Sequence, residues 1–122
     1  SNRKRLPTLI SPTVLLNKNG DIDLVLGSAG SNRIRSAIVQ VVINYIIKGM
    51  NLENSIYHPR IHLEGNNLYI EPNINIDYNL IKKSKIEINS FPERNLFFGG
   101  VNAVSQSEAV SDPRRGGYGL VC

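Results

Sequence analysis

The feature that most constrains the fold is an apolar segment, SNRIRSAIVQVVINYIIK, at residues 31–48. Its apolar residues recur at three- and four-residue spacing, which predicts a helix that ends at Gly49. Val39, Ile43 and Ile47 make much of the opposite side apolar as well. A helix that is apolar on nearly all sides needs cover on more than one face.

Strand patterns lie on both sides of this helix and predict an α+β domain over residues 1–122, with a central apolar helix and flanking strands. Asn51 is expected to cap a short helix that Pro59 stops. The other predicted elements are a hairpin at 13–16 and 22–26, a second hairpin within 60–72, a short helix near 78–84, a strand at 85–88 and late strands within 96–106 and 107–122.

The chain length limits what can cover the helix. With 122 residues, the chain is enough for one small domain and not for two. One helix on one face of a small sheet leaves the other side of the helix uncovered. Either the chain dimerises through this helix, or it is a piece of something larger. We expect the second, a single-domain fragment whose exposed apolar helix surface makes it self-associate when isolated.

The charge pattern argues against two classes of partner. Net charge is +4, but the basic residues are spread along the chain, with short, separate clusters at 3–5, 82–85 and 114–115. Nucleic-acid binders concentrate such charge on one face, so no nucleic-acid partner is expected. No apolar run reaches the ~18 residues of a membrane span, so none is expected in this chain.

Conventional metal and catalytic sets are missing from the sequence. His58 and His62 stand four residues apart, but Pro59 would break the helix that such a metal pair needs. The single Cys122 excludes an intramolecular disulfide and a cysteine-only metal site. We predict neither a metal nor a cofactor.

The turn Gly27-Ser28-Ala29-Gly30-Ser31 follows a predicted strand and opens the long helix. Free backbone N–H groups converge at such a helix start, where the helix dipole favours negative charge. The Lys-Ser/Thr ending of a phosphate loop and the three spaced glycines of a dinucleotide site are both missing. From these residues alone, the turn is either an anion site of unspecified kind or a corner where small residues let the helix pack closely.

Several ordered blocks make the chain resemble the γ-glutamyltranspeptidase family, in the second half of its small subunit. The match is weak only over residues 66–100. The blocks are Ser11-Pro12-Thr13, Gly27 to Ile34, Val39 to Asn44, Gly49-Met50-Asn51, Pro59-Arg60-Ile61-His62 and Asp112 to Gly117.

This resemblance implies part of an N-terminal-nucleophile hydrolase with a four-layer αββα sandwich. In such a precursor, self-cleavage exposes a Thr whose hydroxyl attacks a γ-glutamyl amide, and water or an amino acid then takes the acyl group. The nucleophile is expected upstream of Ser1, so this fragment alone should be inactive. The implied partners are the rest of the small subunit, the large subunit and a γ-glutamyl small molecule. A periplasmic or extracellular location is implied, with a cytoplasmic one left open.

The resemblance also assigns roles to particular residues. Gly30 and Ser31 match the two glycines whose N–H groups form the oxyanion hole, and Ala29 replaces the proline of that turn. Thr8 and Leu9 stand where the family has a Ser pair that holds the substrate α-carboxylate. Leu9 cannot donate a hydrogen bond, and Thr8-Leu9-Ile10 instead resembles acylase-like relatives.

The terminal motif is expected to be structural, an ion-paired bend made by Asp112, Arg114 and Arg115. Two alternatives to γ-glutamyl transfer remain open. One is an acylase-like amidohydrolase of the same superfamily with another donor, and the other is an anion- or nucleotide-binding module that uses the turn at Gly27–Ser31.

Overall fold

The computed structural model describes residue 4 and residues 9–122, and it contains both helices and sheets. In chain order the strands are β1 (Thr13–Leu16), β2 (Ile22–Ala29), β3 (Ile61–Glu64), β4 (Asn67–Ile70), β5 (Glu87–Ser90), β6 (Gly100–Ser105) and β7 (Ala109–Val110). The helices are α1 (Ile34–Val42), α2 (Leu52–Tyr57) and α3 (Tyr78–Lys82). One sheet has the order β1-β2-β6-β7 with antiparallel neighbours, and the other has the order β3-β4-β5.

The main core lies between α1 and one face of the four-stranded sheet. Alternate residues of β2 and β6 point to this face because strand side chains alternate. Helix α2 closes one side of the core with Leu52 and Ile56. The remaining buried members are Leu24, Leu26, Val101 and Ala103 from the strands and Ile34, Ala37, Ile38 and Val41 from α1. This packing fixes the end of β2 and the start of α1 at one corner of the molecule.

The predicted long helix forms in three parts. A 3₁₀ turn at Ser31–Arg33 leads into α1, and a π-helical turn at Ile43–Ile47 follows it. Gly49 then leaves the helix at φ 65°. Ile46 and Ile47 are 53% and 76% exposed, so the side of the helix away from the sheet has apolar residues open to solvent.

The sheet face opposite α1 is open as well. Val14, Val25, Val104 and Ala109 form one row across its four strands by register. An open groove of about 600 Å³ runs along this face and is also lined by Tyr118. Two apolar surfaces, one on the helix and one on the sheet, therefore lie outside the core.

Several element boundaries differ from the sequence predictions. Strand β2 continues to Ala29 and not Leu26, because Gly27, Ser28 and Ala29 stay paired with Asn102, Val101 and Gly100 of β6. Sheet pairing thus overrides the turn preference of these small residues and shortens the turn to Gly30-Ser31. Strand β5 begins two residues later than predicted, and β7 is only two residues long.

Both predicted hairpins are confirmed as antiparallel pairs. The short helix before Pro59 is also confirmed, since the Asn51 side chain accepts a hydrogen bond from the N–H of Asn54 at 2.8 Å. Across the described part of the chain, no helix is both long enough and apolar enough to cross a membrane.

Candidate functional site: the turn between β2 and α1

The turn that joins β2 to α1 has an unusual backbone. Gly30 has φ 144°, and Ser31, which has a Cβ, has φ 55°. The left-handed region is uncommon for a residue other than glycine and costs of order 1–3 kcal/mol unless its surroundings hold it. The N–H of Arg33 donates to the Gly30 carbonyl at 3.1 Å and closes the turn.

A second glycine makes this geometry sterically feasible. A Cβ placed on Gly30 would lie 2.7 Å from the Cα of Gly99, closer than real Cβ contacts. Gly99 itself has φ 74° and lies directly before β6. The two backbones therefore touch where the sheet ends, and neither position has room for a side chain without a shift.

The turn leaves backbone donors available. Within residues 9–122, neither the Gly30 N–H nor the Ser31 N–H donates a hydrogen bond to another group. Both groups precede a helix start, where the dipole favours negative charge. The turn can therefore present two adjacent N–H donors to an anionic atom.

Three buried polar side-chain atoms near the turn have no hydrogen-bond partner in the described part of the chain. They are the Ser28 Oγ, the Arg33 Nε and the Arg115 Nε. Ser28 is two residues before Gly30, and Arg115 packs beside Gly100, the strand partner of Ala29. Buried polar groups normally find partners, so this corner offers sites that a ligand or another polypeptide could satisfy.

A buried charge cluster lies directly behind the turn. Asp112 is fully buried, and its Oδ2 accepts from Arg60 NH2 and from the Val101 N–H, each at 2.7 Å. Its Oδ1 accepts from the Arg114 N–H at 2.9 Å and from Arg114 NH1 at 3.2 Å. Each carboxylate oxygen thus has one backbone donor and one guanidinium donor.

Glu71 forms the other half of this cluster. It is 2% exposed, and its Oε1 accepts from Arg114 Nε at 2.8 Å and from the Asn95 N–H at 3.1 Å. Its Oε2 accepts from the other side of the Arg114 guanidinium, at NH2, and from the Arg60 N–H at 2.9 Å. The positive charges of Arg60 and Arg114 thus neutralise the negative charges of Asp112 and Glu71, since an unpaired buried charge would be costly.

The cluster also reaches the glycine that contacts the turn. Arg60 NH1 donates to the Gly99 carbonyl at 3.1 Å, while Asp112 holds the Val101 N–H two residues later. Burial first, and then the neighbouring Arg114, lower the pKa of Arg60, while Asp112 opposes that shift. The ion pair therefore fixes the start of β6 on both sides of Gly100.

The structure divides the three residues predicted at the C-terminal bend. Asp112 and Arg114 lie inside the buried cluster, whereas Arg115 is in none of the ion pairs of residues 9–122. The second guanidinium on Asp112 is that of Arg60. Sequence reasoning gave no role to Arg60 or Glu71. Arg60 belongs to the Pro59-Arg60-Ile61-His62 block that carries part of the family resemblance, whereas Glu71 belongs to no such block.

The remaining predicted positions, Thr8, Leu9 and the two histidines, form no common site in the described part of the chain. Thr8 lies outside the described residues, and Leu9 is 55% exposed. His58 binds the Pro59 carbonyl, and His62 binds Ser36 at 2.8 Å, so the two histidines have separate partners. The described residues contain no group of three or more His, Cys, Asp or Glu side chains that could hold a metal ion.

Comparison with known proteins identifies the family to which this chain belongs. The family model described as Gamma-glutamyltranspeptidase matches residues 1–122. The chain belongs to the γ-glutamyltranspeptidase family. It is 31% identical over 119 residues to the glutathione hydrolase 5 proenzyme of Mus musculus, with 93% of this chain and 21% of that protein covered. The chain thus spans about a fifth of the length of this curated relative.

Solved structures of transpeptidases share the fold. The γ-glutamyltranspeptidase from Pseudomonas nitroreducens complexed with L-DON is 25% identical, with a TM-score of 0.78 over 100% of this chain and 66% of that one. The Bacillus anthracis transpeptidase enzyme CapD is 27% identical, with a TM-score of 0.79 over 98% of this chain and 74% of that one. The relatives named glutathione hydrolase and γ-glutamyltranspeptidase place the chain in a family of hydrolases and transferases.

Proposed function

We propose that this chain is part of an amide-cleaving γ-glutamyltranspeptidase-like enzyme, to which it contributes the oxyanion hole. The activity is the transfer of a γ-glutamyl group from a glutathione-type amide to water or an amino acid. One observation carries this proposal: in a family member, the adjacent N–H groups of Gly30 and Ser31 are both available at the start of a helix.

The chemistry follows from where charge develops. When a hydroxyl attacks an amide carbonyl, the carbonyl oxygen becomes an oxyanion, and fixed N–H donors stabilise it more than the ground state. Such a donor typically contributes about 3 kcal/mol. Gly30 and Ser31 donate through the backbone, so the serine in place of a second glycine keeps the donor. Its φ of 55° supports this, because the left-handed conformation is kept despite the Cβ.

The nucleophile of this proposal is a Thr supplied by the same precursor outside the 122 residues. The curated relatives are named proenzymes and are about five times as long as the matched segment. The rest of the small subunit and the large subunit are the proposed partners, completing an αββα sandwich. The open apolar sheet face and the exposed side of the helix are suitable surfaces for them.

The identity of the donor is a separate proposal. Leu9 has no hydroxyl, so it removes one hydrogen bond to a free α-carboxylate at the position where the family has Ser. A donor that lacks this carboxylate, as for an acylase-like relative, is therefore the second candidate. A matched pair of anilide substrates, with and without the α-carboxylate, would separate the two candidates through kcat/KM.

The first experiment uses the full-length precursor that contains this segment. Intact mass recorded over time detects self-cleavage before a Thr, and a chromogenic γ-glutamyl anilide reports turnover. Cleavage with anilide release supports γ-glutamyl transfer, whereas cleavage without release supports another acyl donor. A precursor that never cleaves would contradict the enzymatic proposal.

The role of the turn is tested by two variants at one position. Ser31→Gly keeps the N–H and relieves the left-handed strain, so we expect kcat at the wild-type level or above. Ser31→Pro removes the N–H and, because proline fixes φ at about −65°, also shifts the turn away from its φ of 55°, so we expect a kcat loss of about 10²-fold or more. Equal activity of the proline variant and the wild type would rule out Ser31 as an oxyanion donor.

A further inference from the structure

Strand β3 makes a row of polar contacts with α1. Ile61 and Gln40 exchange two hydrogen bonds of 2.9 Å each, through the Ile61 backbone and the Gln40 amide. One turn earlier, Ser36 Oγ lies 2.8 Å from His62 Nδ1. β3 is an edge strand, so the Gln40 amide gives partners to the free backbone groups of Ile61, and the row ties the strand to α1.

Glu64 ends this row at the two residues that follow the turn. Its Oε1 accepts from Asn32 Nδ2 at 3.1 Å, and its Oε2 lies 3.3 Å from Arg33 NH2. The Arg33 guanidinium also lies over the Phe97 ring, 4.1 Å from the centroid. Arg33 is thus held between a carboxylate on β3 and an aromatic ring two residues before Gly99.

The backbone of the turn needs such restraint. Ser31 has a φ of 55°, a conformation that persists in a residue with a Cβ only when the surrounding structure fixes it. Contact with Gly99 fixes the turn at Gly30, before Ser31. On the other side of Ser31, the contacts from Glu64 hold the next two residues, Asn32 and Arg33.

We propose that Glu64 is a positioning residue for the Gly30-Ser31 turn, acting through Asn32 and Arg33. The inference rests on the proposed function, because its effect on rate requires that these N–H groups face the reacting carbonyl. Glu64 does not touch substrate in this proposal. It sets the direction of the Ser31 N–H, and misplacement by about 1 Å can cost up to 10²-fold in rate.

The test compares Glu64→Ala and Glu64→Gln in the full-length precursor, with rates calculated per cleaved molecule from intact mass. For Glu64→Ala we expect kcat to fall about 10-fold with KM within about 2-fold, because only transition-state contacts are affected. The Gln side chain still accepts a hydrogen bond from Asn32, so kcat of Glu64→Gln should fall at most about 3-fold. Only the exposed ion pair with Arg33 is lost, and such pairs contribute little free energy. The matched control is Glu87→Ala, an exposed carboxylate on the opposite edge strand of the same sheet, which should change neither constant.

Two further measurements separate positioning from general destabilisation. Asn32→Ala and Glu64→Ala should be non-additive in kcat, since Glu64 acts through Asn32. Hydrogen exchange should accelerate in a peptide over residues 27–35 of Glu64→Ala and remain unchanged in β4 and β6. A KM increase with constant kcat, or unchanged exchange at the turn, would overturn the proposal. If the wild-type precursor shows no turnover, the proposed function fails, and the exchange result still decides whether Glu64 holds the turn.

Discussion

Replacing Asp112 by Ala is the perturbation that most directly tests the buried charge cluster. It removes a carboxylate that accepts four hydrogen bonds, two of them from the backbone at Val101 and Arg114. Arg60 keeps its bonds to the Gly99 and Ile56 carbonyls, and Arg114 keeps Glu71. The cluster would nevertheless hold two buried cations and one anion.

The magnitude follows from that imbalance. Removing one partner of a buried ion pair typically costs about 3–5 kcal/mol. The remaining partners of both guanidiniums place the expected cost near the lower end, at about 3 kcal/mol. Each 1.4 kcal/mol is about a tenfold change in an equilibrium constant, so local opening should become about 10²-fold more favourable.

Hydrogen exchange of the full-length protein measures this cost locally and needs no two-state unfolding. We expect peptides over β6, residues 100–105, to lose about 10²-fold in protection. The control is Asp77→Ala, an exposed carboxylate that caps α3 through the N–H groups of Asn79 and Leu80. Loss of such a cap costs about 1 kcal/mol and should stay confined to α3. If Asp112→Ala reduces the exchange protection of β6 no more than Asp77→Ala reduces that of α3, the reasoning is refuted.

Two further predictions concern the turn and its neighbourhood. Gly30→Ala adds both a left-handed Cβ and a clash 2.7 Å from Gly99, whereas Gly49→Ala adds only the left-handed Cβ with nothing within 4 Å. Thermal melting should therefore show a loss of about 1–2 kcal/mol for Gly49→Ala and a clearly larger loss for Gly30→Ala, and equal losses would show that the glycine contact is not tight. Burial first, and then the charge of Arg33, lower the pKa of His62 below its ordinary value. The unfolded chain then binds the proton more readily, so the stability due to neutral His62 is present above about pH 6.5 and is lost as pH falls toward the lowered pKa. Melting curves between about pH 8 and 5 should show a steeper acid loss for the wild type than for His62→Gln, and parallel curves would contradict the shift.

Local patterns in the sequence were enough to predict much of the fold. Both hairpins have turn residues between branched apolar runs, and the helix before Pro59 has a cap at Asn51 and a stop. The end of β2 could not be predicted in this way. Gly27 to Ala29 have no intrinsic strand preference and remain extended because β6, more than 70 residues later, pairs with them. The helix period likewise predicted α1 but not the π-helical turn at Ile43–Ile47.

The candidate site could likewise be predicted only where neighbouring residues in the sequence define it. The small residues of the turn and the resemblance were enough to select Gly30 and Ser31 as candidates. The contacts that shape the turn come from Gly99 and Glu64, which are far away in the chain and carry no motif of their own. The same applies to Glu71, whose charge is buried only because Arg114 reaches it across 43 residues.

The two supports of the turn are physically different, and this difference bears on how the site tolerates change. On one side, the buried ions hold Gly99 through the Arg60 bond to its carbonyl, and Gly99 in turn contacts Gly30. That support is desolvated and cooperative, so losing one charge should disturb the whole of it. On the other side, Glu64 is a half-exposed carboxylate whose contacts to Asn32 and Arg33 can be weakened separately. Substitution at Glu64 can therefore adjust the direction of the Ser31 N–H in small steps, while the Gly30–Gly99 contact remains fixed by the core.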